Sequence, residues 1–278
     1  PTNPGLYLGP YRIKEIKLGS HVIFERNPTF YGEPAHIEQI NIVLIPNTGT
    51  LEANLRSGSI DMVSALGMSF DQAVAFEERV LADGLPFTVN FKPGFVYEHV
   101  DLNLDNPQLQ DVRVRRALVY AIDRAGLADA LFAGRQPPAL HFVSPRDPWY
   151  TDDPGIISVY RHSRREASRL LDEAGWQMGA DGYRYNAQGE RLRLTLMTTA
   201  GNKVREIVEV YLQDQWGGIG VDVRIQNEPA RIFFGETTRK RQFDGAVMYA
   251  WTSSPESVPR STLHSESIPS EANGWSGQ

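Results

Sequence analysis

Apolar positions along this chain recur with two periods. Val114, Leu118, Ala121 or Ile122, Ala125, Ala128 and Leu131 return every three or four residues, as one face of a helix requires. Asp111 stands at the N-cap position after the turn-forming pair Asn106 and Pro107, and Gly134 follows, so the spacing predicts one helix from 111 to about 133. A period of two governs the opening instead. Residues 9–17 and 21–26 alternate around Gly19 and Ser20 and predict a hairpin, and 37–45 predicts a third strand. A short helix over 48–57, capped by Asn47 or Thr48, and a second over 70–81 come next. Between them 59–63 reads as a short buried strand, which leaves the loop 64–68 beyond a strand end, where open α/β sheets place ligands. Residues 87–91 and 97–104 are further strands.

After a proline-rich stretch at 135–160, which permits only extended segments and turns, 163–174 predicts an amphipathic helix stopped by Gly175. Asp181-Gly182 and Gln188-Gly189 mark hairpin turns. Residues 192–198 predict a strand and 202–216 a helix whose inward face is Val204, Ile207, Val208, Tyr211 and Leu212. Gly217 to Gly220 then turn into a strand at 221–225. Strand, helix, glycine turn and strand form a crossover unit, which implies parallel pairing and an α/β fold. Residues 231–241 read as helical, and a strand over 243–249 delivers Ala250, Trp251, Thr252, Ser253 and Ser254 at its end.

Composition narrows the function. The chain has 278 residues, 41% hydrophobic and 22% charged, which is ordinary for a globular protein. A net charge of −6 argues against a general nucleic-acid binder. There is no cysteine, so disulfides, thiolate metal sites and cysteine nucleophiles are excluded. No apolar run of ~18 residues exists to form a transmembrane segment. No signal peptide is visible, and both ends read as the middle of a longer protein, so a fragment is expected. The six histidines are scattered singly, without metal-ligand spacing, and Ser144 and Ser254 lack a G-x-S-x-G setting. Neither a metal, nor another cofactor, nor catalysis is expected. Trp251 is different: an aromatic plane followed by Thr252, Ser253, Ser254, Glu256 and Arg260 could grip a small zwitterion by stacking and charge-assisted hydrogen bonds. A loop tryptophan packed on the edge of the core fits the same residues. Trp275 has the same two readings, and Met68, Phe95 and Tyr97 are weaker candidates for an opposite wall.

Several word-like stretches occur in a fixed order: Gly9-Pro-Tyr11, Arg26-Asn-Pro-Thr-Phe-Tyr31, Ser57-Gly-Ser-Ile-Asp61, Val100-Asp-Leu-Asn103, Asp111-Val-Arg-Val-Arg-Arg-Ala-Leu118 with Ala121-Ile-Asp-Arg124, Arg165 through Trp176, and Ile219-Gly-Val-Asp-Val223. In these the chain resembles the extracytoplasmic solute-binding proteins of ABC transporters, family 5, the oligopeptide and dipeptide type. The resemblance implies a periplasmic binding protein-like II fold, two α/β lobes with a ligand cleft between them. Residues 1–96 would be the later part of the first lobe and 97–278 most of the second. It further implies a small-molecule or short-peptide ligand, permease subunits as partners, and a periplasmic or lipid-anchored location. In the family the loop matching Trp251 to Ser254 faces the ligand. Peptide binders carry an aspartate three residues after that tryptophan to pair the peptide's amine, whereas here the position is Ser254, with Glu256 nearby. A sensor of the same fold, a binder of a sugar, opine or metal chelate, and a hydrolase are the alternatives.

Overall fold

The alternating stretches near the start of the chain pair as the pattern predicts. In the computed structural model, which describes residues 7–45, 50–64, 67–253 and 260–275, strands β1 (Tyr11–Lys17), β2 (His21–Arg26) and β3 (Gln39–Val43) form an antiparallel sheet in that order. Compact units divide between Val89 and Asn90.

The rest of the first unit is helical. α1 (Leu51–Arg56) and α2 (Phe70–Asp83) bring Leu55, Phe76 and Val80 together, with Ile60, Val63, Met68, Leu85, Phe87 and Val89 packed around them. Ser69 and Gln72 close a reciprocal capping box on α2, which satisfies two of its free amides. The caps expected at Asn47 and Thr48 lie outside the described residues. Two expected strands are absent: 59–63 and 87–91 adopt no ladder. Ile60, Val63, Phe87 and Val89 pack on the two helices, so the pattern there records packing and not pairing.

In the second unit β4 (Val96–Leu102) leads into α3 (Pro107–Gln110), α4 (Val112–Ala121), α5 (Arg124–Phe132) and, after an irregular stretch, α6 (Arg164–Glu173). A small hairpin, β5 (Gln177–Met178) and β6 (Arg184–Tyr185), precedes β7 (Arg193–Met197), α7 (Lys203–Gly217) and β8 (Asp222–Ile225). One further turn, α8 (Ala230–Ile232), runs on into a π-turn at Phe233–Thr237, and β9 (Ala246–Thr252) and α9 (Arg260–Leu263) follow. The sheet order is β4-β9-β7-β8. β7 is parallel to both β8 and β9, as the crossover unit requires, and β4 is antiparallel to β9.

α4 is built as its sequence suggests. Asp111 caps it by accepting from the Arg113 amide at 2.8 Å, and Val114, Ala117, Leu118 and Ala121 are buried. Arg113 binds the same carboxylate and also reaches the Glu173 carbonyl at 2.5 Å, tying α4 to α6. The helix stops at Ala121, about twelve residues earlier than expected. Ile122 turns extended and Asp123 starts α5 by accepting from the Gly126 amide at 2.9 Å. The apolar period continues across this break, which is why periodicity alone reads one helix.

The main core lies between the sheet and α4, α6 and α7. Leu194, Leu196, Ala246 and Met248 meet Leu171, Leu118, Leu212 and Trp216, and the Trp216 indole donates to the Leu118 carbonyl at 3.0 Å. Arg184 is buried too, yet saturated: it donates to Asp172 and the Trp176 carbonyl, both at 2.5 Å, and to the Ile219 carbonyl at 2.8 Å. α7 presents a face shifted from the one expected. Leu212 is buried and Val208 packs on the core as expected, but Val204 and Ile207 are half exposed, while Glu209, Gln215 and Trp216 are buried, because the large indole takes the core position.

Glu209 follows Trp216 inward. One carboxyl oxygen accepts from the Asn227 amide at 2.7 Å, and the other has no partner among the described residues. Burial pushes its pKa up to about 7 against the bond from Asn227. The folded chain therefore keeps a proton that the unfolded chain releases nearer pH 4.5. Stability from this group is complete below that value and is lost as pH rises through about 7, by on the order of 3 kcal/mol. Glu209→Gln is expected to flatten this slope. Urea midpoints at about pH 5 and about pH 8 should converge in the variant relative to the unsubstituted protein. An undiminished difference would refute the assignment.

Candidate functional site: an aromatic face of the second sheet

Side chains alternate across a strand, so β4 and β9 each feed two surfaces. Val100, Leu102, Ala246 and Met248 face the main core. The intervening residues meet in register on the other side: Tyr97 opposite Trp251, His99 opposite Tyr249, and Asp101 opposite Val247. Tyr97 lies 5.1 Å from His99 and 6.2 Å from Phe142 between ring centres. His99 meets Tyr249 edge-on at 4.4 Å, and Phe233 and Phe234 pack edge-on behind Tyr249 at 6.1 and 5.7 Å. Trp251 stays 40% exposed at the edge of this surface.

A single carboxylate sits at its other end. The Tyr249 hydroxyl donates to Asp101 Oδ2 at 2.8 Å, and His99 Nε2 lies 3.5 Å from the same oxygen. Burial pushes the Asp101 pKa up. The hydrogen bond and charge of His99, and then the Tyr249 hydroxyl, outweigh that and hold it below the usual carboxylate range. Burial and the Asp101 charge raise the Tyr249 phenol far above the ordinary tyrosine range. Tyr97 moves the same way for the same two reasons. The result is a row of π-faces ending in an ionised carboxylate, a surface suited to holding apolar, aromatic or cationic groups.

The residues singled out from the sequence fall in several places. Trp251 lies within β9 and not beyond its end, because the strand starts three residues later than expected. Asn103 and Asn106 hold the Phe243 and Asp244 carbonyls, and a Cβ at Gly245 would stand 2.3 Å from the Thr195 carbonyl, so pairing begins at Ala246. Thr252 pairs opposite Val96, and Ser253 donates through its amide and hydroxyl to the Phe95 carbonyl at 2.8 and 3.1 Å. Phe95 carries the Arg146 guanidinium over its ring. Ser254 and Glu256 lie outside the described residues. Arg260 pairs with Glu266 at 2.9 Å on the surface, and the Trp275 carbonyl accepts from Arg239 at 3.4 Å. Met68 belongs to the first unit, where it packs on the α1–α2 cluster. His99, Asp101, Tyr249 and Phe142 were not anticipated. The alternation Tyr97-x-His99-x-Asp101 carried a signal for the first two.

A groove of about 1120 Å³ opens elsewhere, between Tyr120, Ile122 and Arg124 on one side and residues 152–162 on the other. None of the candidate residues lines it. Among the described residues no three His, Cys, Asp or Glu side chains could hold a metal ion, and no helix is long and apolar enough to cross a membrane.

Comparison with known proteins connects this architecture to a family. The model for "Bacterial extracellular solute-binding proteins, family 5 Middle" matches residues 2–268. The oligopeptide-binding protein AppA of Bacillus subtilis is 27% identical over 221 residues, 78% of this chain and 38% of that protein. The nickel-binding periplasmic protein of Escherichia coli is 23% identical over 95% of this chain and 49% of its own length. Among solved structures, the oligopeptide-binding protein of Thermus thermophilus in complex with a pentapeptide superposes with a TM-score of 0.65 at 29% identity, over 98% of this chain and 49% of that one. The chain thus spans less than half the length of these relatives.

The geometry of the carboxylate yields a prediction. Tyr249→Phe removes the phenolic donor, and Asp101 should then titrate at higher pH, followed by carboxyl carbon NMR. An unmoved titration would show that the hydroxyl does not hold the charge.

Proposed function

The chain belongs to the bacterial extracellular solute-binding proteins, family 5, and from that premise we propose that it provides solute-binding surface to the binding component of an ABC importer. Its solute is a short peptide or peptide-like molecule. In this reading residues 1–96 form the later part of one lobe and 97–278 most of a second. A cleft between the lobes desolvates the solute and closes over it, and membrane permease subunits receive it from the closed form. The protein then works outside the cytoplasm, in the periplasm or on a lipid anchor, and performs no chemistry on its cargo.

One observation carries the reading: the aromatic face on β4 and β9, with Trp251 half exposed opposite Tyr97. A solute-binding surface uses such paired aromatic planes to stack on amide planes and side chains. Peptide as cargo is supported by the relatives named for oligopeptide binding and by the pentapeptide-bound structure.

Thermal-shift measurements on the full chain with di- to pentapeptides, sugars and a metal chelate test this directly. A bound solute at ~100 times its dissociation constant adds about 2.7 kcal/mol to stability. Peptides are expected to raise the melting temperature, and a response to sugars or the chelate alone would overturn the peptide reading. Trp251→Ala should weaken peptide binding about tenfold or more, roughly 1.4 kcal/mol, while the melting temperature without peptide stays put. Unchanged affinity would remove Trp251 from the site.

A further inference from the structure

Successive charged positions on β4 are treated differently by the fold. Glu98, on the core side of the strand, is matched by the protein's own cation: Arg205 binds it at 2.9 Å and is itself largely buried. Asp101, on the aromatic side, has no such match. Among the described residues neither arginine nor lysine pairs with it. Its Oδ2 is taken by the Tyr249 hydroxyl and faces His99 Nε2, its Oδ1 has no hydrogen-bond partner, and its side chain is 50% exposed. Held ionised with one oxygen free, it stands at the end of the aromatic row, beside the Tyr249 hydroxyl and His99.

We propose that the solute taken at this face carries a cationic side chain, an ammonium or guanidinium, which pairs with Asp101 Oδ1. This rests on the reading of the face as a solute-binding surface. A carboxylate with one free oxygen recognises a cation by charge-assisted hydrogen bonding. Tyr97, and with it Trp251, stands four residues along the strand from Asp101, roughly 13 Å at ~3.4 Å per residue. A solute that touches both ends is therefore several residues long. It resembles a lysine- or arginine-containing oligopeptide and not a single amino acid. The fixed oxygen supplies selectivity among peptides. Trp251 and Tyr97 supply sequence-tolerant stacking.

Calorimetric titration of the full chain with alanine pentapeptides tests the pairing. Lysine is placed at positions two to five in turn and compared with norleucine at the same place. Both peptides of a pair keep the same terminal amine, so only the side-chain charge differs. At one or more positions the lysine peptide should bind at least tenfold tighter. Asp101→Asn should bring the ratio of lysine to norleucine affinity down to about one, and Asp101→Glu should restore part of it. Equal affinity for lysine and norleucine at every position, a preference that survives Asp101→Asn, or an equal loss for both peptides in that variant overturns the pairing alone. Absence of binding by every peptide overturns the solute-binding reading, and the pairing falls with it.

Discussion

Everything in the second unit depends on β9 being bonded on both sides. It runs antiparallel to β4 along seven residues and parallel to β7, so it joins a strand from the start of the unit to the crossover from its middle. Three local devices set where that strand begins. Gly245 lets the backbone pass against Thr195 at a distance no side chain would tolerate. Asn103 and Asn106, just past the end of β4, hold the carbonyls immediately before it. A one-residue slip would exchange the two faces of β9 and carry Tyr249 and Trp251 into the space occupied by Met248.

That register explains how one sheet serves two purposes. Its core face is closed by α4, α6 and α7, where Arg184 is matched by Asp172 and the Trp176 and Ile219 carbonyls, and Trp216 by the Leu118 carbonyl. Glu209 and Gln215 on α7 each leave one oxygen unpartnered among the described residues, and Glu209 meets burial by keeping its proton. The other face is only partly covered, by Phe233, Phe234 and Phe142, and its carboxylate keeps its charge. Two buried or half-buried acids thus take opposite protonation states because one finds donors and the other finds mainly apolar neighbours.

Legibility of the sequence followed the range of the interactions involved. α6, with Ser163 as cap, and the β7–α7–β8 unit, with Asn202 as cap, could be read because caps, glycines and period all lie within the element. The α4–α5 break was hidden because Asp123 interrupts the backbone without interrupting the apolar period. The start of β9 was misplaced by three residues because Asn103 and Asn106, which set it, lie about 140 residues away. The same separation governed the site. Trp251 and Tyr97 drew notice from their types, but their pairing with His99, Asp101 and Tyr249 exists only once the two strands meet. Family membership was visible earlier than any of this, in words such as Asp111 to Leu118 whose residues cap α4, fill its core face and tie it to α6.

The bonds that assemble the aromatic face span 148 to 158 residues of chain. Contacts of that range form slowly, after the entropy of closing a long loop has been overcome. The crossover unit and its helices can organise first from nearby sequence, whereas the surface that holds Trp251 beside Tyr97 has to wait for the late part of the second unit to return to its beginning. If this face holds the proposed solute, a partly folded chain is blind to it. Any solute that grips this face also clamps the most distant seam of the unit, so capture and final consolidation of the fold draw on one and the same free energy.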